Sequence, residues 1–289
     1  MLQARLVLFL SIIFLSAHAL GLLTAQKYSN YIDQGVLAPI VENPADASNS
    51  AVILAYVLVV TLAVVLIIRF AKRLLLAVEA LAIFFASDIV FEFMVPLDIA
   101  GTIPLGLVLA LLLTAWKMLR PTILSQDVAL VISVAGAGAV LGVSLEPLPV
   151  LILMLALSIY DFLSVFVTKH MVYMARAITE HPMAFTAAIP AKFSKPVLKT
   201  NLRTGKKVRS RFHVFQLGGG DIVIPLVFAS SLLRYFGASY ALAASAGAFV
   251  SILLLFFLVS KRPGRALPAL PIVSAGAVWG FGIARLIGF

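Results

Sequence analysis

Nine apolar runs, most of them close to 20 residues long, divide the chain, and no other feature narrows its fold so far. A helix rises 1.5 Å per residue, so about 20 apolar residues cross the hydrocarbon of a bilayer. The runs are at about 6–25, 51–70, 74–95, 101–119, 128–145, 148–168, 215–235, 238–260 and 267–287. In hydrocarbon every backbone N–H and C=O must be satisfied within the segment, which favours helices. The fold class is therefore all-α, a polytopic membrane protein of about nine transmembrane helices. Composition agrees, since 62% of residues are hydrophobic and 12% are charged. A water-facing surface needs about twice that charge. The reading is one transmembrane domain over residues 1–289. Helices 1–5 (about 6–145) form a scaffold, helices 6–9 (about 148–287) carry the chemistry, and a basic loop lies at about 169–214.

The first run has an alternative. Apolar residues 6–15 followed by Ala17-His18-Ala19 look like a signal-peptide core with a small-residue cleavage site. The apolar character continues to Ala25, which favours an uncleaved helix.

Charge tests the helix count. If the nine runs alternate in direction, 19 of the 22 Lys and Arg fall on one side. These include Arg69, Lys72 and Arg73, then Lys117 and Arg120, then ten between Lys169 and Arg211. Only Lys27, Arg234 and Arg285 fall on the other side, with Asp33, Glu42, Asp46, Asp98 and Glu146. Cytoplasmic loops carry the basic excess, so the N-terminus is expected in the cytoplasm and the C-terminus outside. The net charge of +10 then reads as contact with anionic lipid, and no nucleic-acid partner is expected. Cysteine is absent, which excludes disulfides, thiolate zinc sites and cysteine nucleophiles.

Glu92 sits close to an external end, while four acidic residues fall inside the runs away from their ends: Glu79, Asp88, Asp161 and Asp221. Each costs about 2.5–3.5 kcal/mol to insert and needs an explanation. Glu79 is expected to snorkel or to pair with nearby Lys72 or Arg73, and Asp88 to find a polar partner. Asp161 lies near the end of the sixth run and Asp221 near the start of the seventh. Both are about 9–11 Å from the cytoplasmic end at the helical rise. They sit at matched depth on consecutive antiparallel helices and can face one another. Two facing carboxyls in a low-dielectric site do not easily both ionise, so the pair can share one proton. One then takes a proton from water while the other hydrogen-bonds the scissile carbonyl. Which Asp takes which part is open at this stage, and so is the reading that each merely bonds a neighbouring helix.

Two further features flank this pair. Gly218 and Gly220 precede Asp221, where glycine allows close backbone approach, either of a substrate or of another helix. The ninth run opens with Leu267-Pro268-Ala269-Leu270-Pro271. Two prolines three apart interrupt the helical ladder and leave an irregular segment, or else mark an ordinary helix start.

Taken in order, Tyr160-Asp161, Gly218-Gly219-Gly220-Asp221 and Pro268-Ala269-Leu270 resemble the motifs of the presenilin and signal peptide peptidase family. A microbial homologue of both branches fits. Ile222-Val223-Ile224-Pro225 is closer to the signal peptide peptidase branch, and a cytoplasmic N-terminus is closer to presenilin. The resemblance implies an intramembrane aspartyl protease with Asp161 and Asp221 as catalytic pair. It implies that Pro268, Ala269 and Leu270 shape the active site, with Tyr160, Gly218 and Gly220 as motif residues beside it. It implies no metal or organic cofactor. Single-span membrane proteins or signal peptides are the expected substrates, and a prokaryotic cell membrane the expected location. The oligomeric state is not encoded in any of these motifs.

Other chemistries fit less well. The four histidines, His18, His170, His181 and His213, begin no H-E-x-x-H zinc motif. Ser239 in Gly237-Ala238-Ser239 has no later histidine to activate it. Prepilin-type peptidases share a Gly-x-Gly-Asp motif but lack the Pro-Ala-Leu element. A proton- or cation-coupled transporter using the same aspartates is the rival from another class, although the chain shows no internal repeat.

Overall fold

The structure, a computed structural model, describes residues 2–70, 72–99, 101–166, 186–188, 197–200, 207–210, 216–261 and 268–288. The described residues contain nine helices. They are α1 (Leu2–Asp33), α2 (Ser48–Phe70), α3 (Lys72–Met94), α4 (Leu105–Leu119), α5 (Ile123–Val143), α6 (Pro147–Phe166), α7 (Gly219–Tyr235), α8 (Ala238–Lys261) and α9 (Leu270–Ile287). Seven are long and apolar enough to cross a membrane, while α4 and α7 are shorter, at 15 and 17 residues.

Three expected boundaries move. The fourth run starts as an antiparallel hairpin of β1 (Asp98–Ile99) and β2 (Ile103–Pro104), with Gly101 at φ 71° in the turn. A left-handed residue there ends helical continuity, and glycine accepts it without a Cβ clash. The seventh helix starts at Gly219 rather than 215, because Gln216–Gly218 is extended. Three consecutive glycines weaken a helix, and strand pairing supplies the hydrogen bonds instead. The ninth helix starts at Leu270, after the irregular Pro268 and Ala269.

Two more strand pairs are described in and just after the basic segment. Strand β3 (Thr186–Ala188) pairs with β6 (Gln216–Gly218), and β4 (Val197–Thr200) with β5 (Lys207–Ser210), both antiparallel. Most of the basic loop expected at 169–214 lies outside the described residues.

Helix α7 is the centre of the bundle. It packs against α1, α5, α6, α8 and α9, and every residue from Pro225 to Leu232 is buried. A helix buried all round must offer small or shape-matched contacts on every face. Between membrane helices lipid is as apolar as leucine, so close backbone approach drives association. Gly138 and Gly142 of α5 provide it against α7: a methyl at Gly138 would stand 2.6 Å from Leu226 Cδ2. Gly247 of α8 and Gly276 and Gly280 of α9 bring those two backbones together in the same way.

These contacts also fix helix directions. Gly138 and Gly142 meet Leu226 and Ser230, so α5 and α7 run the same way. Short connections reverse the chain from α5 to α6 and from α7 to α8. Gly247 meets Gly276 while Ala243 meets Gly280, so α8 and α9 are antiparallel. It follows that α6 runs opposite to both α7 and α9.

Polar ties lock the frame. Ser231 Oγ donates to the Leu145 carbonyl at 2.7 Å and Ser50 Oγ to the Pro149 carbonyl at 2.6 Å. Arg234 donates to the Val143 carbonyl at 3.0 Å and pairs with Asp33 at 3.3 Å. In the scaffold, Glu79 of α3 forms a buried ion pair with Lys117 of α4. The side chains of Lys72 and Arg73, the partners expected from sequence, lie outside the described residues. Antiparallel packing of α3 on α4 brings the start of one helix beside the end of the other. Asp88, expected to have a polar partner, has one oxygen (Oδ1) buried with no hydrogen bond among the described residues.

Candidate active site

Helix α6 presents Asp161 five residues before its described end, with only 9% of the residue exposed. Its carboxylate is met by the start of α9. The Leu270 N–H donates to Asp161 Oδ2 at 3.2 Å, and the Ala269 amide is also directed at the carboxyl. The first N–H groups of a helix have no intrahelical acceptor, and the helix dipole favours negative charge there. Ala269 is the N-cap and has no side-chain oxygen to serve them. Asp161 therefore does from α6 what a capping side chain would do locally. Pro271, in the first turn of α9, has no N–H to leave unsatisfied and helps set the helix start. Leu270 is buried with Leu153 and Leu157 of α6, which fixes the register of the two helices.

Asp221 is held by a different local device. Gly218 is the N-cap of α7 in extended conformation, which makes Asp221 the third helical residue. At that position a carboxylate reaches back to the N-cap N–H, as in a capping box. The backbone of Gly218 hydrogen-bonds the Asp221 carboxyl in this way. A Cβ at Gly218 would stand 3.2 Å from Asp221 Oδ2, so the glycine leaves space for the folded-back carboxyl. A Cβ at Gly220 would meet nothing within 4 Å, and Gly220 is exposed. Among the described residues neither glycine lies against another helix.

The two carboxyls come from α6 and α7, which are in contact, and lie within Coulombic range of one another. Asp221 lies in the first turn of α7 and not six residues into the helix, as the expected start at 215 would place it. The extended β6 carries the chain the remaining distance. No Lys, Arg or His side chain among the described residues pairs with either carboxyl. Such a pair, held by backbone amides and facing a second acid, has the parts for proton exchange with a bound water.

The other expected site residues gather here. Pro268 is buried, Ala269 half-buried and Leu270 buried at the start of α9. Tyr160 is half-buried next to Asp161. Sequence reading passed over β3, whose Thr186-Ala187-Ala188 shows no strand pattern but pairs with the segment leading into Asp221. It also passed over Ser158 and Ser274, both buried within one turn of the Asp161–Leu270 contact. Their spacing, three before Asp161 and four after Leu270, was the available signal.

Comparison with known proteins places the fold. Two solved structures, each described as a presenilin family intramembrane aspartate protease, share the fold. One, in space group P2, is 21% identical with a TM-score of 0.67, covering 96% of this chain and 96% of that chain. The other, in C222, is 19% identical with a TM-score of 0.65, covering 97% and 98%. A search of curated protein sequences gives no significant match. The family described as "Signal-peptide peptidase, presenilin aspartyl protease" matches residues 11–288, nearly the whole chain. This polytopic membrane protein belongs to the signal-peptide peptidase and presenilin family of aspartyl proteases.

Proposed function

We propose that the protein is an intramembrane endopeptidase in which Asp161 and Asp221 together hydrolyse a peptide bond in or near a transmembrane segment of another protein. The observation that carries this reading is the convergence of three separate chain segments on one carboxyl pair. These are α6 with Asp161, the β6–α7 junction with Asp221, and the Leu270 N–H at the start of α9.

The mechanism follows from the groups present. One carboxylate removes a proton as water attacks the scissile carbonyl carbon. The protonated partner donates a hydrogen bond to the carbonyl oxygen and then supplies the proton that leaves with the amine. A substrate helix shields its own peptide bonds, so it must unwind at the cut. The β3–β6 ribbon ends three residues from Asp221 and offers an extended edge at which an unwound segment can pair. The open face at Gly220 gives that backbone room.

Single-span membrane proteins and signal peptides are the proposed substrate class. The distribution of Lys and Arg supports a cytoplasmic N-terminus and an external C-terminus. On that orientation the carboxyls lie nearer the cytoplasmic side, which is the shorter path for water.

The test is reconstitution of purified protein in liposomes with a single-span substrate, and intact-mass measurement of both fragments. A cut inside or beside the apolar segment is the expected result. Failure to cut any span, together with acid-dependent flux of protons or cations, would instead support the transporter reading.

A further inference from the structure

Two buried hydroxyls sit beside the carboxyl pair without a hydrogen-bond partner among the described residues: Ser158 Oγ of α6 and Ser274 Oγ of α9. Both residues are more than nine-tenths buried, at 9% and 6% exposure. The Asp161–Leu270 hydrogen bond sets the register between these helices. Because α6 and α9 are antiparallel, Ser158 and Ser274 both lie about one turn further along in the same direction, away from the β3–β6 ribbon. On the helical wheel Ser158 lies on the side of α6 shared with Met154, which packs into the core with α7 residues Ile222 and Leu226. Ser274 lies on the side of α9 away from the glycine contact with α8. The two hydroxyls thus converge between α6, α7 and α9.

A third group points the same way. Pro225 lies inside α7 and has no N–H, so the helical ladder offers no residue-225 donor to the Asp221 carbonyl. That carbonyl is directed along α7 toward its C-terminal end, the same direction. A buried water is retained where two to four polar groups surround it. Two hydroxyls and the Asp221 carbonyl, with the Asp161 carboxyl about one turn away, supply that number of groups.

We propose that Ser158 and Ser274 hold one water molecule on the far side of the carboxyl pair, and that it supplies the hydrolytic step. This rests on the protease reading above. Each cleavage consumes one water: its oxygen bonds to the carbonyl carbon, the C–N bond breaks and the nitrogen takes a proton. A substrate lying along the ribbon and Gly220 covers the open side of Asp221. Water already held on the opposite side remains beside the acids when that route closes. Ser158 and Ser274 are positioning residues in this scheme, acting through the water.

The experiment compares the parent with Ser158→Ala, Ser274→Ala and the double variant, in melting temperature and in kcat and KM on a single-span substrate. Ser245→Ala is the control, since Ser245 Oγ on α8 is also buried without a partner but lies away from the acids. If both serines hold one water, each single change lowers kcat about tenfold with KM unchanged. The double variant then falls no further than the worse single, in kcat and in melting temperature alike, because the same water is lost. Ser274→Thr, which keeps a hydroxyl, restores kcat, and the control is unaffected.

If the alanines raise the melting temperature, the hydroxyls hold nothing and the proposal is overturned, because removing an unpartnered buried hydroxyl stabilises. Effects that multiply in the double, or coupled melting with unchanged kcat, overturn it equally. If the parent cuts no span, the protease reading fails. The melting cycle still decides whether the serines share a water.

Discussion

Glu79 and Asp161 are both carboxyls buried in the same bundle, and the protein treats them in opposite ways. Glu79 is 1% exposed and faces Lys117 of α4, itself 3% exposed. The pair neutralises itself and ties two scaffold helices together. Asp161 faces backbone amides from the start of α9 and a second carboxyl from α7. A buried carboxylate paired with a cation on another helix ties the two helices together, which serves structure. A carboxyl beside another carboxyl can gain or lose a proton with little reorganisation, which serves chemistry. The distinction lies in the partner, since burial is common to both.

The contrast can be broken or sharpened by substitution. The largest effect belongs to the acid pair. Asp161→Asn, Asp221→Asn and the double variant should each lose at least about a thousandfold in cleavage rate, as expected when a general acid–base unit is removed. The double should be no worse than the singles, because groups acting as a unit are not additive. Multiplying losses would show two independent roles.

Next comes the amide that holds Asp161. Leu270→Pro deletes the N–H and also disfavours the α-region backbone of Ala269 before it. It should cost about a hundredfold in rate beyond Leu270→Ala, which loses only the packing against Leu153 and Leu157. Equal rates would show that the amide does no positioning.

The pH–rate profile should rise to an optimum and fall on both sides between about pH 4 and about pH 9, because one carboxyl must hold a proton and the other must not. A flat profile would remove the shared proton from the account.

The smallest effect on chemistry belongs to the scaffold pair. Glu79→Leu leaves Lys117 buried and unpaired and should destabilise the fold by about 3–5 kcal/mol. Adding Lys117→Met should recover most of that loss in thermal unfolding. The folded double variant should cleave at the parent rate, and a lost rate with restored stability would assign this pair a part in catalysis.

Much of this was legible in the chain. Helix α2 shows why: its apolar run has a mean hydropathy of 2.9, and only 6% of it is buried against the protein. Hydropathy measures what faces lipid, so outer helices announce themselves. Helix α7 is the reverse case. It is enclosed by five neighbours, and its start is set by glycine and strand pairing, which hydropathy does not see. The seventh boundary was therefore four residues early. The Asp161 and Asp221 candidates came from charge in an apolar run, and the structure brings them together. The role of Leu270 is carried by its backbone N–H and has no side-chain signature. Lys117 was read as part of a basic cytoplasmic edge; only the antiparallel packing of α3 on α4 gives it Glu79 as partner.

The most direct test of the central claim is cleavage of one single-span substrate in liposomes by the parent, Asp161→Asn and Asp221→Asn, with equal melting temperatures confirmed beforehand. The account predicts a defined cut by the parent and none by either variant. Cutting by both asparagine variants at the parent rate would contradict it.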